Sequence, residues 1–338
     1  MASFHARAAT NPSEDVASVS VWIAIFLDIF VTDFFVAIGK LYYDESMAAE
    51  LFSRDDFANN RSLGESESKY SSGQITIIGG SELFHGAPIL ALKGASRLVS
   101  MTFFASPVED RGVVDKIKSS LGSFVWVPFE DLDSYIEKSD AILIGPGLMR
   151  SHINEKDFVC DEEGMITRDI TKKYLRSFLK KRWLVDGGSL QVISVNDLPE
   201  GAAVTPNKKE FEMLFGEELL DDIEKRGEQI MRLAAKHKLV ILSKDAVSLV
   251  SDGKRLIRIE GGNDGLVKGG VGDVIAGVAV GFMAKNEPLF SLAAASYLVK
   301  KAADRLAEKK DLMFNSDDIA DEVPKVYGEI VKNLRSPH

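Results

Sequence analysis

A lysine, three glycines and an aspartate stand within six residues of this chain, in the segment KGGVGD from Lys268 to Asp273, just before an apolar run. Glycine allows the backbone to approach a ligand closely, and the free N–H groups at the start of a helix bind anions. The segment therefore predicts a phosphate-binding turn, with Asp273 placed as a general base. Such a local site is what a protein of net charge −10 needs to bind an anion.

Asp273 has a second interpretation, because aspartate is also common as the capping residue of a helix. The surrounding sequence favours catalysis, since glycine, polar or acidic residues follow several other apolar runs. In α/β proteins such residues gather at the carboxyl edge of the sheet. The segments are Gly79–Ser81, Gly145–Gly147, Asp186–Ser189, Thr205–Phe211 and Ser243–Ser248. Asp186 is the next candidate for the base.

The elements that must position these residues alternate between short apolar runs and helix-like stretches from Gln74 onward. This alternation predicts an α/β fold with a mostly parallel sheet. Two β-prone runs joined through Asp252-Gly253 predict an antiparallel hairpin. From Val274 the chain is predicted to be helical, and its first helix is apolar on nearly every face, as buried helices are.

The N-terminal 65 residues differ in composition from this pattern. Val16–Lys40 is nearly long enough to span a bilayer, but Asp28 and Asp33 make insertion costly. A helix packed on the domain and an appended segment outside the fold are the alternatives. Residues 53–73 are polar and serine-rich, as linkers are. We therefore predict an appendage and linker of unknown role at 1–65, dispensable for folding, and one domain at 66–335.

Composition restricts the class of partner. The acidic balance, with a pI near 5.2, disfavours nucleic acid and anionic membranes, which bind through excess lysine and arginine. The single cysteine, Cys160, allows no internal disulfide and suits a reducing cytoplasm. The five histidines show no metal-ligand spacing. No structural metal is expected.

The order and spacing of these segments resemble the ADP-dependent NAD(P)H-hydrate dehydratases of the ribokinase-like superfamily over about residues 66 to 330. The most specific match, GGNDGLVKGGVGDVIAGV, is similar to the family's Gly-Asn-x-Gly and Gly-Gly-Thr-Gly-Asp helix opening. ILIGPGL matches its GPG turn, and LVDGGSL is an altered form of its Asp-Ala-Asp-Ala-Leu run. AVTPNKKEF resembles its Thr-Pro-His-x-x-Glu-Phe, and VILSKDAVSLVSDG its Lys-Gly-x-x-Thr nucleotide segment and hairpin.

The resemblance implies a ribokinase-like three-layer α/β/α fold and repair of the hydrated cofactors (S)-NADHX and NADPHX to NADH and NADPH. The hydrate hydroxyl would be phosphorylated from ADP or ATP, with Mg²⁺ as the nucleotide's metal, and phosphate would then be eliminated. Asp273 would be the base. The nucleotide would be held by Lys244, Asp245, Ala246, Val247, Ser248, Gly270 and Gly272. The hydrate would be held by Ala87, Gly147, Asn207 and Asp273, whereas His85 is expected at the surface.

The chain departs from the family pattern at Asn207, where the family has histidine, and at Asp245, where it has glycine. Two other functions therefore remain open. One is a small-molecule kinase of the hydroxymethylpyrimidine or hydroxyethylthiazole type, and the other is a nucleotide-binding protein without catalysis. The family is often fused to an epimerase that interconverts hydrate epimers. Since residues 1–65 are too short to hold one, we expect a separate epimerase. We also expect a cytoplasmic location and compatibility with a homo-oligomer.

Overall fold

The computed structural model describes residues 49–59, 72–107, 121–150 and 162–335. The candidate membrane segment Val16–Lys40, residues 60–71 of the predicted linker, and Cys160 lie outside these residues. Within the described ranges, no helix has the length and apolar character needed to cross a membrane. Residues from Ala49 onward form one compact unit.

A single twisted sheet organises the described residues. Its strands are β1 (Glu50–Leu51), β2 (Gln74–Ile78), β3 (Met101–Ala105), β4 (Val125–Trp126), β5 (Ala141–Ile144), β6 (Arg182–Val185), β7 (Ala203–Val204), β8 (Val240–Ser243), β9 (Ser248–Ser251) and β10 (Leu256–Ile259). Their order is β1-β10-β9-β8-β7-β6-β5-β2-β3-β4. Among these strands only β9 runs antiparallel to its neighbours. The predicted α/β class, the mostly parallel sheet and the hairpin through Asp252-Gly253 are confirmed.

Helices cover both faces of the sheet. Those in the described residues are α1 (Gly86–Ala95), α2 (Leu132–Lys138), α3 (Glu162–Ser177), α4 (Lys208–Phe215), α5 (Ile223–His237), α6 (Val271–Met283), α7 (Pro288–Lys310) and α8 (Ser316–Arg335). Successive strand side chains point to opposite faces. Ile75 and Ile77 therefore join a core with α1, α6, α7 and α8, whereas Ile142 and Ile144 join a second core with the other four helices. The result is a three-layer α/β/α structure.

Helix α6 is buried along nearly its whole length, as its apolar sequence predicts. It packs against α1 through small residues, since a Cβ on Gly277 would collide with the backbone of Ala91. A Cβ on Gly94 would lie 3.1 Å from the carbonyl oxygen of Val274. This close packing holds the start of α6, and with it the turn before Val271, beside the carboxyl edge of the sheet.

Residues 49–59 pack against the domain, although the sequence analysis placed them in the appendage. Strand β1 pairs in parallel with β10 at the sheet edge, and Phe52 N–H donates to the Arg258 carbonyl at 2.9 Å. Phe52 and Phe57 are 6% and 3% exposed. They lie in an aromatic cluster with Phe282, Phe290, Tyr297 and Tyr327. The packed unit therefore extends back to residue 49, while a domain boundary near residue 65 stays a prediction.

Candidate active site

The carboxyl ends of β2, β5 and β6 meet at one edge of the sheet and are joined by hydrogen bonds between their following turns. Gly80 N–H donates to the Pro146 carbonyl at 2.8 Å, and Gly188 N–H donates to the Gly145 carbonyl at 3.2 Å. Gly145 has φ of 124°, and a Cβ there would collide with the carbonyl oxygen of Asp186. The glycines of these turns thus allow three strand ends to approach each other closely. The polar residues after the strands are brought together, as expected.

Asp186 forms the charged centre of this edge. It directly follows β6, is 2% exposed, and its Oδ1 accepts from Thr205 Oγ1 at 2.7 Å and from Lys244 Nζ at 2.8 Å. Thr205 follows β7 and Lys244 follows β8. Burial alone lowers the pKa of Lys244, but the negative charges of Asp186 and Glu210 outweigh it and leave the pKa above its usual range. Lys244 is therefore a fixed cation at the strand ends.

Asp273 stands opposite this cation, in the first turn of α6. The residue that caps the helix is Gly270, in the left-handed conformation with φ of 90° and no side-chain cap, so Asp273 is the third residue of the helix and not its N-cap. The capping interpretation is thus wrong. Burial raises the pKa of Asp273 to about 7, the negative charge of Asp186 adds to the rise, and the Lys244 ammonium opposes it. A carboxyl group with this pKa can take up and release a proton near neutral pH.

Gly272, one residue earlier, leaves open the space between Lys244 and the helix start. A Cβ at Gly272 would lie 3.2 Å from Lys244 Nζ. The first amides of a helix lack intrahelical acceptors and carry the positive end of its dipole. The ammonium and these amides therefore face one small volume that is suited to a phosphate group.

Glu210 is a buried member of the same cluster, and the sequence analysis did not assign it to the site. It is 5% exposed, and its carboxylate oxygens accept from Gln191 Nε2 at 3.2 Å and from the backbone N–H of Asn207 at 2.9 Å. Burial raises its pKa; the Lys244 charge counteracts this and the Asp186 charge adds to it. The signal in the sequence is the Asn207-x-x-Glu210 spacing, a capping box for α4.

A cleft of about 590 Å³ extends from this cluster. Its walls include five of the seven residues predicted for the nucleotide: Lys244, Asp245, Ala246, Ser248 and Gly272. Val247 and Gly270 lie next to lining residues in the chain. The walls also include residues that sequence reasoning missed: Leu266, Val271, Ile275, Ser296, Val299 and Lys300. Apolar walls with a cationic, glycine-lined end match the two chemical parts of a nucleotide, a base and its phosphates.

Asp245 stands where the dehydratase pattern has glycine, and its carboxylate is held by two hydrogen bonds. Its Oδ2 accepts from Nη1 of Arg226 on α5, and its Oδ1 accepts from the Ala246 amide at 2.7 Å. The Arg226 side chain is only 6% exposed. Since the carboxylate is engaged by a buried guanidinium, its charge is compensated at the cleft wall. The aspartate therefore fits beside a phosphate site.

The residues predicted for the hydrate lie in different places. Ala87 is partly buried in the first turn of α1, and Gly147 has φ of 72° in the turn after β5, where a Cβ would collide with the Phe84 carbonyl. Asn207 lines the nucleotide-type cleft, and its Oδ1 accepts from the Glu210 amide at 3.0 Å as the cap of α4. A second cleft, of about 670 Å³, is lined by Gly80, Ser81, Leu148 and Thr167 among others. His85 is exposed, just before α1.

The comparisons with known proteins place the chain in a family. A model of the NAD(P)H-hydrate dehydratases matches residues 75–325. The chain belongs to this family. The bifunctional NAD(P)H-hydrate repair enzyme of Hyperthermus butylicus is 31% identical over 76% of this chain, which spans only 49% of that relative. The ADP-dependent (S)-NAD(P)H-hydrate dehydratase of Cenarchaeum symbiosum is 29% identical over 83% of this chain and 97% of its own length.

Solved structures agree on the fold. A ribokinase-like superfamily protein from Enterococcus faecalis has a TM-score of 0.69 at 24% identity, over 85% of this chain and 98% of that one. An ADP/ATP-dependent NAD(P)H-hydrate dehydratase from Bacillus subtilis, co-crystallised with ATP and Mg²⁺, has a TM-score of 0.68 at 20% identity, over 84% and 99%. The ribokinase-like fold inferred from the resemblance is confirmed.

Proposed function

We propose that this protein dehydrates (S)-NADHX and NADPHX to NADH and NADPH at the expense of ADP or ATP, with Asp273 as the general base. The observation that carries the proposal is the position of Asp273. Its carboxyl group has a pKa of about 7 and stands at a glycine-lined helix start beside the ion pair of Lys244 with the buried Asp186. Membership of the dehydratase family supports this reaction over that of a small-molecule kinase.

The chemistry divides between these groups. The nucleotide's terminal phosphate would lie between Lys244 Nζ and the amides of Gly270 to Gly272, which stabilise the charge on the transferred group. Asp273 would take the proton of the hydrate hydroxyl. The hydroxyl oxygen would at the same time attack the terminal phosphorus, and the P–O bond that joins this phosphate to the rest of the nucleotide would break. Phosphate would then leave with the electrons of the C–O bond of the ring, and the adjacent ring carbon would lose a proton to water, which restores the double bond. The hydrate would be bound by Ala87, Gly147 and Asn207.

Mg²⁺ belongs to the proposal as the metal of the nucleotide. In the described residues no three acidic, histidine or cysteine side chains are grouped so that they could hold a metal without other ligands. Mg²⁺ commonly binds to phosphates with one or two carboxylates. Besides Asp273, the buried Asp186 and Glu210 act electrostatically on Lys244, and these two carboxylates would hold the metal. When bound, the metal would neutralise phosphate charge. A cytoplasmic location, an NAD(P)H-hydrate epimerase as a partner in the same repair pathway and compatibility with a homo-oligomer complete the proposal.

The proposal is tested by offering NADH hydrate to the purified protein with ADP, with ATP or with neither. Recovery of the absorbance band of reduced nicotinamide, dependent on nucleotide, is the expected result. Nucleotide-dependent phosphorylation of hydroxymethylpyrimidine or hydroxyethylthiazole, with no action on the hydrate, would instead establish the kinase. Nucleotide binding with neither reaction would establish a binding protein without catalysis.

The rate is expected to depend on pH through Asp273. Only the carboxylate form accepts a proton, and burial, then the charge of Asp186, raise its pKa to about 7. The kcat/KM for the hydrate should therefore fall as pH decreases below about 7 and level off above it. Asp186→Asn removes a charge that raises this pKa, so the midpoint should move to lower pH. A profile without an acid limb between pH 5 and 8 would contradict the assignment.

Adenine nucleotide is expected to stabilise the folded protein by about 2.7 kcal/mol at a hundredfold excess over its dissociation constant. Gly272→Ala should reduce this gain, because its methyl group would enter the space beside Lys244 Nζ. Gly328→Ala is the matched control, since it is another helical glycine and its Cβ would meet no atom within 4 Å. Melting temperatures with and without ADP or ATP provide the measurement. An unchanged wild-type melting temperature at millimolar nucleotide would show that the nucleotide site is wrong.

A further inference from the structure

Lys300 is a buried lysine whose ammonium binds only backbone carbonyls of the described residues. It lies in the middle of α7 and is 3% exposed. Its Nζ donates to the carbonyls of Asp245 at 3.1 Å, Ala246 at 2.5 Å and Gly261 at 3.2 Å. An ammonium group has three N–H donors, so these bonds use all of them. The three acceptors come from two loops that are separate in sequence, the turn after β8 and the loop after β10.

Asp304, one helical turn further along α7, binds the second loop by accepting hydrogen bonds from its N–H groups, whereas Lys300 donates to its carbonyl group. Its Oδ2 accepts from the Gly262 amide at 3.2 Å, and its Oδ1 accepts from Asn263 Nδ2 at 3.5 Å. Gly261 and Gly262 have φ of 93° and 83°, a conformation that side chains other than glycine rarely adopt. A Cβ on Gly262 would also lie 3.1 Å from Lys300 Cγ. The backbone of this loop is thus fitted to α7.

Both loops are walls of the 590 Å³ cleft. Asp245 and Ala246 line one part of it, Gly261 and Gly262 line another, and Lys300 itself lies between them. Arg226 binds the Asp245 carboxylate from the other face of the sheet. The first turn is therefore held from two helices, whereas α7 alone provides the side-chain contacts to the Gly261–Gly262 backbone among the described hydrogen bonds.

A general role in stability does not explain this arrangement well. Taking an ammonium group out of water is costly even when its three donors are bonded, and an apolar residue would serve the core at lower cost. Every bond of Lys300 instead goes to a loop that lines the cleft. Its loss would leave the carbonyls of both loops without their shared donor, and the distance between the two loops would no longer be fixed.

We propose that Lys300, assisted by Asp304, is a positioning residue that fixes the two loops of the cleft at the spacing an adenine nucleotide requires. The inference rests on the proposed function in one respect, that this cleft takes the nucleotide. Lys300 acts through the loops on nucleotide affinity and leaves proton transfer at Asp273 unchanged.

The test compares Lys300→Met with the wild type by titration calorimetry with ADP and with ATP. Methionine keeps the apolar stem and removes the ammonium. Because a binding site that is no longer preorganised must be ordered by the ligand, the nucleotide Kd should rise about tenfold or more. The nucleotide KM should rise by the same factor. The hydrate KM, and kcat at saturating nucleotide, should stay within about twofold, a split that general destabilisation would not produce.

Leu306→Ala is the matched control, because it removes a buried side chain from the same helix and is not one of the residues that line the cleft. It should lower the melting temperature and leave the nucleotide Kd unchanged. Asp304→Asn should raise the Kd, by less than Lys300→Met, and it decides the question if Lys300→Met does not fold. If the wild type binds nucleotide, and Lys300→Met and Asp304→Asn bind it as tightly as the wild type does, this inference is overturned while the proposed function stands. If the wild type binds no nucleotide, the proposed function fails and the inference fails with it.

Discussion

Replacing Asp273 by asparagine is expected to lower nucleotide-dependent dehydration of the hydrate by roughly 10² to 10⁴, the usual contribution of positioned proton transfer. Asparagine keeps the size of the side chain and an oxygen that can accept from a backbone N–H, but it cannot accept the hydroxyl proton. The Lys244–Asp186 pair and the amides at the start of α6 remain in place. Nucleotide binding should therefore persist while turnover is lost.

The fold should tolerate this change. Burial raises the pKa of Asp273 to about 7, above the value of about 3.9 for an unperturbed aspartate. The folded state thus disfavours the carboxylate, and the stability of the wild type falls as pH rises from about 4 to about 7. The amide that replaces it does not ionise, so at pH 8 the Asp273→Asn variant should melt no lower than the wild type.

The control for Asp273→Asn is Asp264→Asn. Asp264 is an exposed carboxylate that also lines the cleft. This second variant should keep nearly full turnover. If Asp273→Asn itself turned over at close to the wild-type rate, the glycine turn would remain only a phosphate site. Asp186 would then become the candidate base.

The glycine-rich segment from Gly261 to Gly277 illustrates how far the sequence could be interpreted. Its density of glycines predicted close approach to a ligand. At Gly272 the close neighbour is the Lys244 ammonium, which the proposal assigns to phosphate, whereas Gly270 packs against Leu90 and Ser316. Gly261 and Gly262 instead fit the chain against α7, and Gly277 lets α6 pack on α1. In each of these cases the glycine indicates that another group lies close to the backbone. It does not report whether the approaching group is a ligand, a helix or a lysine stem.

Local patterns predicted the elements well and their contacts poorly. The alternation of runs identified the strands, the helices and the hairpin, because each of these leaves its pattern in residues that are close in sequence. A parallel sheet then followed from the rule that strands alternating with helices pair in parallel. The Asp186–Lys244 pair joins residues 58 apart in the chain, and only the strand order brings them together. Lys300 was missed because a lysine in a helix is normally exposed. Its burial depends on carbonyls from two distant loops.

Removing residues 1–65 is expected to destabilise the protein severely, whereas removing residues 1–48 should not. The difference is the segment 49–59, which supplies Phe52 and Phe57 to the core. Truncating a buried phenylalanine to alanine costs about 3–5 kcal/mol, and a whole domain is stable by only about 5–15 kcal/mol. The fragment 66–338 loses both aromatic side chains and the pairing of β1 with β10. It should be insoluble or should melt far below the full chain.

Point variants separate this packing from the effect of chain length. Phe57→Ala should lower the free energy of unfolding by about 3–5 kcal/mol, because its ring contacts Phe282, Phe290 and Tyr327 with centroids 5.7–6.3 Å apart. Arg54→Ala, in the same segment, removes a side chain that is 69% exposed and paired only at the surface, and it should cost little. Denaturant unfolding of the full chain, 49–338, 66–338 and the two variants measures these differences. A fragment 66–338 as stable as 49–338 would show that the aromatic cluster closes without Phe52 and Phe57, and that the whole N-terminal 65 residues are dispensable as their composition predicts.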